Sequence, residues 1–200
     1  LRNLRKIDLI SISLLIGLFI AGCGTSQIKE TGVLKIKTLK SQVILNYSAP
    51  GSKIKKKSLL AVKDPDLLRF EIKGFFNEPF FMLTSKGNSV KAYFVQDNAY
   101  FEGQIFDSSS DSLASLILNR SGKLRIKDIE ITPVLIEKEG GTGILDSAEF
   151  SSGDTKVIFS LMEQELNVEL SEELFELTPP KNARRIGLAE LNGYISKWKK

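Results

Sequence analysis

The chain contains no histidine, one cysteine and one tryptophan in 200 residues. Without histidine it lacks the commonest general base and a leading metal ligand. Its single thiol, Cys23, has no second cysteine to pair with, so the domain must be held together by its core. Hydroxyls do not make up the difference. The serine clusters at 108–110 and 151–152 lack a G-x-S-x-G setting and have no histidine partner. "GGTG" at 140–143 lacks the lysine and hydroxyl residue of a phosphate loop and reads as a turn. Glu71, Glu102 and Glu169 alternate with apolar residues, as carboxylates do on the solvent face of a sheet. The expectation is a protein that is not an enzyme and uses no metal and no cofactor.

Long apolar runs are equally scarce. The longest is Leu9 to Ile20, with Arg2, Arg5 and Lys6 before it and Ala21-Gly22-Cys23 after it. A basic start, an apolar stretch too short for a comfortable membrane span and small residues at its end are the marks of a secretory signal. The ending "IAGC" looks like the bacterial lipobox, whose cysteine is acylated on sulfur and becomes the new N-terminus. Residues 1–22 are therefore expected to be a lipoprotein signal peptide. Residues 23–32 then form a tether with a covalent lipid on Cys23, and residues 33–200 form one domain. Gly24 after the cysteine implies the outer membrane by the sorting rule of enteric bacteria. Removing residues 1–22 takes away three basic residues and Asp8, which lowers the formal net charge from +4 to +2. A chain so close to neutral gives little reason to expect nucleic acid as a partner.

What remains is a series of short strands. Val33 to Tyr47 is ambiguous, with helical spacing at first and alternation later, and a strand is expected from about Ser41. "SAPGSK" is a turn. "SLLAVK" (58–63), "LLRFEIK" (67–73), "PFFMLTS" (79–85), "SVKAYFVQ" (89–96) and "AYFEGQI" (99–105) follow, the last two joined by a tight turn at Asp97-Asn98. Leu113, Leu116 and Ile117 suggest a short amphipathic helix with Asp111 or Ser112 as its N-cap. "GKLRIKDIEITP" (122–133) and "IEKEGGTG" (136–143) read as loop-rich. Further strands are expected in "GILDSAEFSS", "KVIFSLM", "QELNVELS" and "ELFELTPP", and then a helical stripe of Leu188, Leu191, Ile195 and Trp198. Such meanders point to one large curved sheet.

Two stretches stand apart. "KIKKK" (53–57) is either a solvated strand edge that discourages aggregation or a patch facing anionic headgroups. "KGFFNEPFFML" (73–83) sets four phenylalanines around one turn. Successive side chains of a simple strand face opposite sides, so Phe75 and Phe76 cannot both enter the core. At least one should be exposed or bury against something else, and a bilayer interface would suit it.

The lipobox, the strand-rich domain and above all "LLRFEIKGFFNEPFFMLTSKGNSVKAYFVQDNAYFEG" (67–103) resemble the LolA/LolB superfamily of lipoprotein localisation factors. "LFELTPPKNARRIGL" (174–188) looks like the closing strand and proline turn of that superfamily. The aromatic-rich N-terminal strand motif is not evident. The resemblance implies a mainly β fold with short helices: an unclosed antiparallel β-barrel, with helices in or over its mouth. It implies a lipid-anchored, periplasm-facing protein of the cell envelope. Such a protein takes up acyl chains or lipoproteins and passes them to the membrane, with a periplasmic LolA-like carrier as a candidate donor. On that reading Leu68, Phe70, Ile72, Phe81, Leu83, Phe94, Phe159 and Leu161 line the acyl-chain cavity. Phe75 and Phe76 then form the membrane-facing loop. The alternative is an assembly lipoprotein of the same fold, which binds a protein partner and fills its interior with its own side chains.

Overall fold

The computed structural model describes residues 36–74, 76–104, 112, 114, 117–118, 124–126, 129–131, 134–137, 145–152 and 155–196. Cys23 and the signal segment, Phe75, Leu113, Leu116, "GGTG" and Trp198 lie outside them.

Alternation decides the first ambiguous stretch. β1 runs Thr38–Ala49, with Leu39, Val43, Leu45 and Tyr47 buried on one face, so the strand begins before Ser41. Pro50 and Gly51 turn it directly into β2, Ser52–Lys63, with Ala49 opposite Ser52. Gly51 has a φ of 74°, a conformation that costs glycine nothing and that follows naturally from a preceding proline. The strand β3 (Leu67–Lys73) keeps Leu68, Phe70 and Ile72 on the buried side, as its alternation requires. β4 (Pro79–Lys86), β5 (Ser89–Phe94) and β6 (Ala99–Gln104) complete the meander. Phe94 pairs with Ala99, so the last hairpin has a four-residue connection, Val95–Asn98, rather than the tight turn expected. Asn98 adopts a φ of 45° within it.

Past residue 122 the sequence and the structure differ. The stretches expected to be loop-rich contain β7 (Leu124–Ile126), β8 (Ile129–Ile131) and the end of β9 (Val134–Glu137). β10 is Leu145–Ser152, and β11 is one long strand, Thr155–Leu166, that absorbs the start of "QELNVELS". No strand follows in the rest of that stretch. Asn167 takes a φ of 54°, its Oδ1 accepts from Lys37 N at 2.7 Å and its own N–H donates to Thr38 O at 2.9 Å. Asparagine tolerates this left-handed geometry, and its side chain stitches the bend in place. The bend sends Leu166 and Val168 to different sides: Leu166 packs on the main core, Val168 on a second, smaller cluster.

"ELFELTPP" is likewise no strand. Glu172–Phe175 is a single 3-10 turn, and Pro179-Pro180 offers no N–H for a ladder. The closing strand is β12, Arg184–Ile186, paired parallel to β6. A helix, Leu188–Ser196, follows. Among its described side chains Leu191 and Tyr194 are buried, whereas Leu188 is exposed.

Among the described residues ten strands form one sheet in the order β12-β6-β5-β4-β3-β2-β1-β11-β10-β9, and β7 pairs with β8 apart from it. Its two ends, β12 and β9, do not pair, so the sheet is unclosed; every pairing but β12–β6 is antiparallel. The sheet is also strongly curved. Phe70 on β3 and Phe159 on β11 are three strand steps apart, about 14 Å on a flat sheet. Their rings nevertheless meet edge to face at 5.8 Å between centroids. One cluster accordingly joins side chains from β1 through β6, β10, β11 and β12 with Ala114, Leu118, Leu191 and Tyr194.

The convex face carries the smaller cluster: Ala61, Leu170 and Phe175, with Leu67, Val168 and Leu174 packed against it. Arg69 pins this crossing segment by donating to Leu174 O (2.9 Å) and Glu176 O (3.1 Å), and Lys63 Nζ donates to Leu170 O (3.0 Å).

Candidate functional site

The eight positions expected to face acyl chains do share one surface. Leu68, Phe70, Ile72, Phe81, Leu83, Phe94, Phe159 and Leu161 all lie in the main cluster, on the concave side, each 0–8% exposed. Alternation on β3, β4, β5 and β11 places them there. Their cover comes from short helical elements. Ala114, Ile117 and Leu118 form an apolar i, i+3, i+4 stripe against the cluster, and Leu191 and Tyr194 do so from the last helix. The ring of Tyr194 lies 5.1 Å from that of Phe94, which itself lies 5.1 Å from Phe81. The sequence stripe did not mark Tyr194; it counted Leu188, which is exposed.

The covering helix is fixed at its start. Glu190 accepts from Gly187 N at 3.0 Å, a capping-box bond that reaches back from the first turn. It also accepts from Arg184 Nη1 at 2.8 Å, and Arg184 Nη2 bonds the Tyr194 hydroxyl. The Arg184 hydrogen bond, with the Gly187 amide, holds the Glu190 carboxyl below its usual range. Arg184 thus ties strand, cap and aromatic cover together.

The phenylalanine turn resolves into distinct fates. Gly74 N donates to Glu78 O (2.8 Å) and Asn77 N to Gly74 O (3.2 Å), and Asn77 sits at a φ of 66°. A Cβ at Gly74 would meet only the carboxylate end of the exposed Glu78 side chain, which can swing aside, so the two backbone bonds rather than the glycine close the turn. The β3–β4 register then shifts: Ile72 opposes Phe81 and Lys73 opposes Pro79, which leaves Phe80 as the extra residue of a bulge. That bulge allows Phe80 to pack against the core cluster although its neighbour Phe81 is already buried in it. Phe76, at the tip, is 86% exposed, more than any other large apolar side chain among the described residues.

Beside this loop lies a groove that sequence reasoning did not anticipate. β2 pairs with β1 along its whole length to Ser52, but with β3 only as far as Ser58. Where β3 stops, a groove of about 700 Å³ opens. Lys55, Lys56, Lys57 and Ser58 form one wall, and Lys73, Gly74 and Asn77 form the other. "KIKKK" signalled the charge, but the groove arises from the unequal lengths of two strands, which only their register reveals. Lys56 Nζ lies 5.8 Å over the Phe80 ring. Lys73 Nζ is bound to Glu71 at 2.7 Å, and Arg69 Nε donates to the same carboxylate at 2.7 Å. Glu71 is buried, not on a solvent face as expected. Burial alone would raise its pKa; the hydrogen bonds from Lys73 and Arg69 outweigh that and hold it below the usual value. Among the described residues no group of three or more acidic or cysteine side chains could hold a metal ion, and no helix is long and apolar enough to cross a membrane.

Concave apolar face, aromatic cover and rim loop define a class: unclosed, helix-covered β-sheet proteins. No protein-family model matches the chain, and no curated protein matches it. Solved structures are distantly similar. One is an uncharacterized conserved protein from Thermus thermophilus, 12% identical, TM-score 0.44, covering 75% of this chain and 90% of its own. Another is a LolA superfamily protein from Nitrosomonas europaea, 9% identical, TM-score 0.42, with 72% and 92% covered. A third is a DUF1329 family protein from Desulfovibrio piger, 10% identical, TM-score 0.43, with 72% and 91% covered. These likenesses are remote and concern the fold alone.

Proposed function

We propose that the protein is a lipid-anchored protein of the cell envelope that shelters acyl chains on the concave face of its sheet and hands them to a membrane at the Phe76 loop. The observation that carries this reading is the continuous apolar lining from Leu68 to Leu161 under a short helical cover, with an exposed phenylalanine at the rim. The energetics set the task. A lipid-modified client with around forty methylenes would lose on the order of 30 kcal/mol on entering water bare. A carrier must offer nearly equivalent apolar surface and bind slightly less well than the bilayer does. Moving the helix Leu188–Ser196 aside would uncover such a surface, and acyl chains would take the place of Leu191 and Tyr194. Cys23 would carry the anchor, and the outer membrane is the proposed address.

Transfer between vesicles tests this directly. Fluorescent acylated peptide should move to acceptor vesicles faster in the presence of the protein, and Phe76→Ser should slow that movement while leaving the fold intact. Unchanged transfer by the variant would count against the loop's role.

One observation favours a second reading. The lining residues are almost fully covered by the protein's own side chains. An assembly lipoprotein with a permanently filled interior, serving a protein partner in the envelope, would look the same. It would accelerate no acyl transfer at all.

A further inference from the structure

Register places two polar side chains together on the concave face, at its rim. Ser58 on β2 stands opposite Val43 on β1 and Ile72 on β3, both buried in the main cluster. It is 5% exposed, and its Oγ makes no hydrogen bond among the described residues, a rarity for a buried hydroxyl. Lys56 lies two residues towards the Phe76 end and therefore on the same face, about 7 Å from Ser58 along the strand. Its neighbour on β1 is the buried Leu45, and its Nζ lies 5.8 Å over the ring of Phe80, which packs on the same cluster. No described carboxylate pairs with it. Lys55 and Lys57, by contrast, project from the opposite face.

A rim lysine that lays its stem along an apolar edge is common by itself. That role leaves the hydroxyl of Ser58 unexplained. Ser85 is another buried hydroxyl without a bond on this face, at the far end of β3, but its cross-strand neighbours Leu68 and Val90 are both apolar. The Ser58 end is distinguished by a donor inside and a cation just outside, in line with the lining of Ile72, Phe70 and Leu68. A carboxylate with a long hydrocarbon tail matches that order. Hydroxyl and ammonium would both donate to the carboxylate, and charge-assisted bonds of this kind are the strong ones. A neutral acyl ester offers a carbonyl to Ser58 but no charge to Lys56.

We propose that Lys56 and Ser58 hold the carboxylate of a long-chain fatty acid whose tail lies along the concave lining, which gives the site a preference for free fatty acids over neutral acyl ligands. The inference rests on the reading of the concave face as an acyl-chain site.

Calorimetric titration of the full chain with laurate and with dodecanol, which share one chain length, tests this. Laurate should bind at least about tenfold more tightly, the effect of a hydrogen bond to a charged group. Lys56→Gln and Ser58→Ala should each reduce that ratio to below about threefold. Lys55→Gln removes the same charge from the opposite face and should leave the ratio intact. Ser58→Ala should also keep or raise the midpoint of urea unfolding, since it deletes a buried hydroxyl that has no partner in the free protein. Equal affinity of the unmodified protein for both ligands would overturn the proposal, as would a ratio retained in either Lys56→Gln or Ser58→Ala, or an equal loss in Lys55→Gln. A lowered unfolding midpoint in Ser58→Ala would also overturn it, because the hydroxyl would then be bonded within the fold. Binding of neither ligand would overturn the acyl-chain reading and this proposal with it, whereas equal binding of both would sink the proposal alone.

Discussion

The ring of Tyr194 lies 5.1 Å from that of Phe94, and its hydroxyl is bonded to Arg184 at the mouth of the fold. A helix is therefore seated on the concave face by an aromatic contact and held there by one arginine, which also binds the helix cap at Glu190. If this helix is the cover of a hydrocarbon site, its attachment should be of modest strength.

Tyr194→Phe keeps the ring and removes the hydroxyl. The expected cost is about 1 kcal/mol in urea unfolding, the usual net value of a hydrogen bond. Exchange of bound acyl chains should become faster. A variant with unchanged exchange would separate this helix from access to the interior.

Phe70→Ala and Phe76→Ser should behave oppositely. Phe70 is 1% exposed and meets Phe159, so its loss leaves a cavity and should destabilise by about 3–5 kcal/mol. Phe76 is 86% exposed, and its replacement should alter stability by less than about 0.5 kcal/mol while slowing transfer. Chemical denaturation of the two variants checks both values.

Glu71 introduces a pH dependence. Its pKa is lower in the folded protein than its ordinary value of 4.5, so the unfolded chain takes up the proton first as pH falls. The associated stability is fully present above that value and is lost as pH drops through the folded pKa. Glu71→Gln should flatten stability against pH below about 4.5 and destabilise at neutral pH by about 1–3 kcal/mol, since Arg69 and Lys73 lose a charged acceptor. An unchanged acid limb in the variant would assign the acid sensitivity to other groups.

At Asn167 the backbone itself is the test. Asn167→Ala removes the bond to Lys37 N and places alanine at a φ of 54°, and should cost about 1–3 kcal/mol. Asn167→Gly, relieved of the strain, should cost less. Thermal unfolding of the pair distinguishes backbone strain from the lost bond.

The second half of β2 and the strands β3 to β6 were legible in the sequence as short apolar or alternating runs between turn residues, although the first half of β2 was not. Leu68, Phe70 and Ile72 show the alternation plainly. On β11 alternation marked Phe159 and Leu161 in the same way, whereas β4 read as apolar on both faces. Features set by distant partners were not legible. β12 is three residues, "RRI", whose strand character comes from β6 beside it. Glu71 looks solvent-facing until the segment around Phe175 crosses the convex face above β3. Phe80 joins Phe81 in packing on the core only because a bulge shifts the register, and the basic groove exists only because β2 outruns β3. Local pattern gives the faces of strands; register and crossings give the site.

Native mass spectrometry of the full chain, extracted gently from the envelope, tests the carrier reading most directly. An acyl-bearing species bound noncovalently, in addition to any covalent modification of Cys23 and released by Phe70→Trp, is the predicted result. A chain with no bound acyl species, unaltered by exposure to acylated peptide, would contradict it and leave the interior as a filled core.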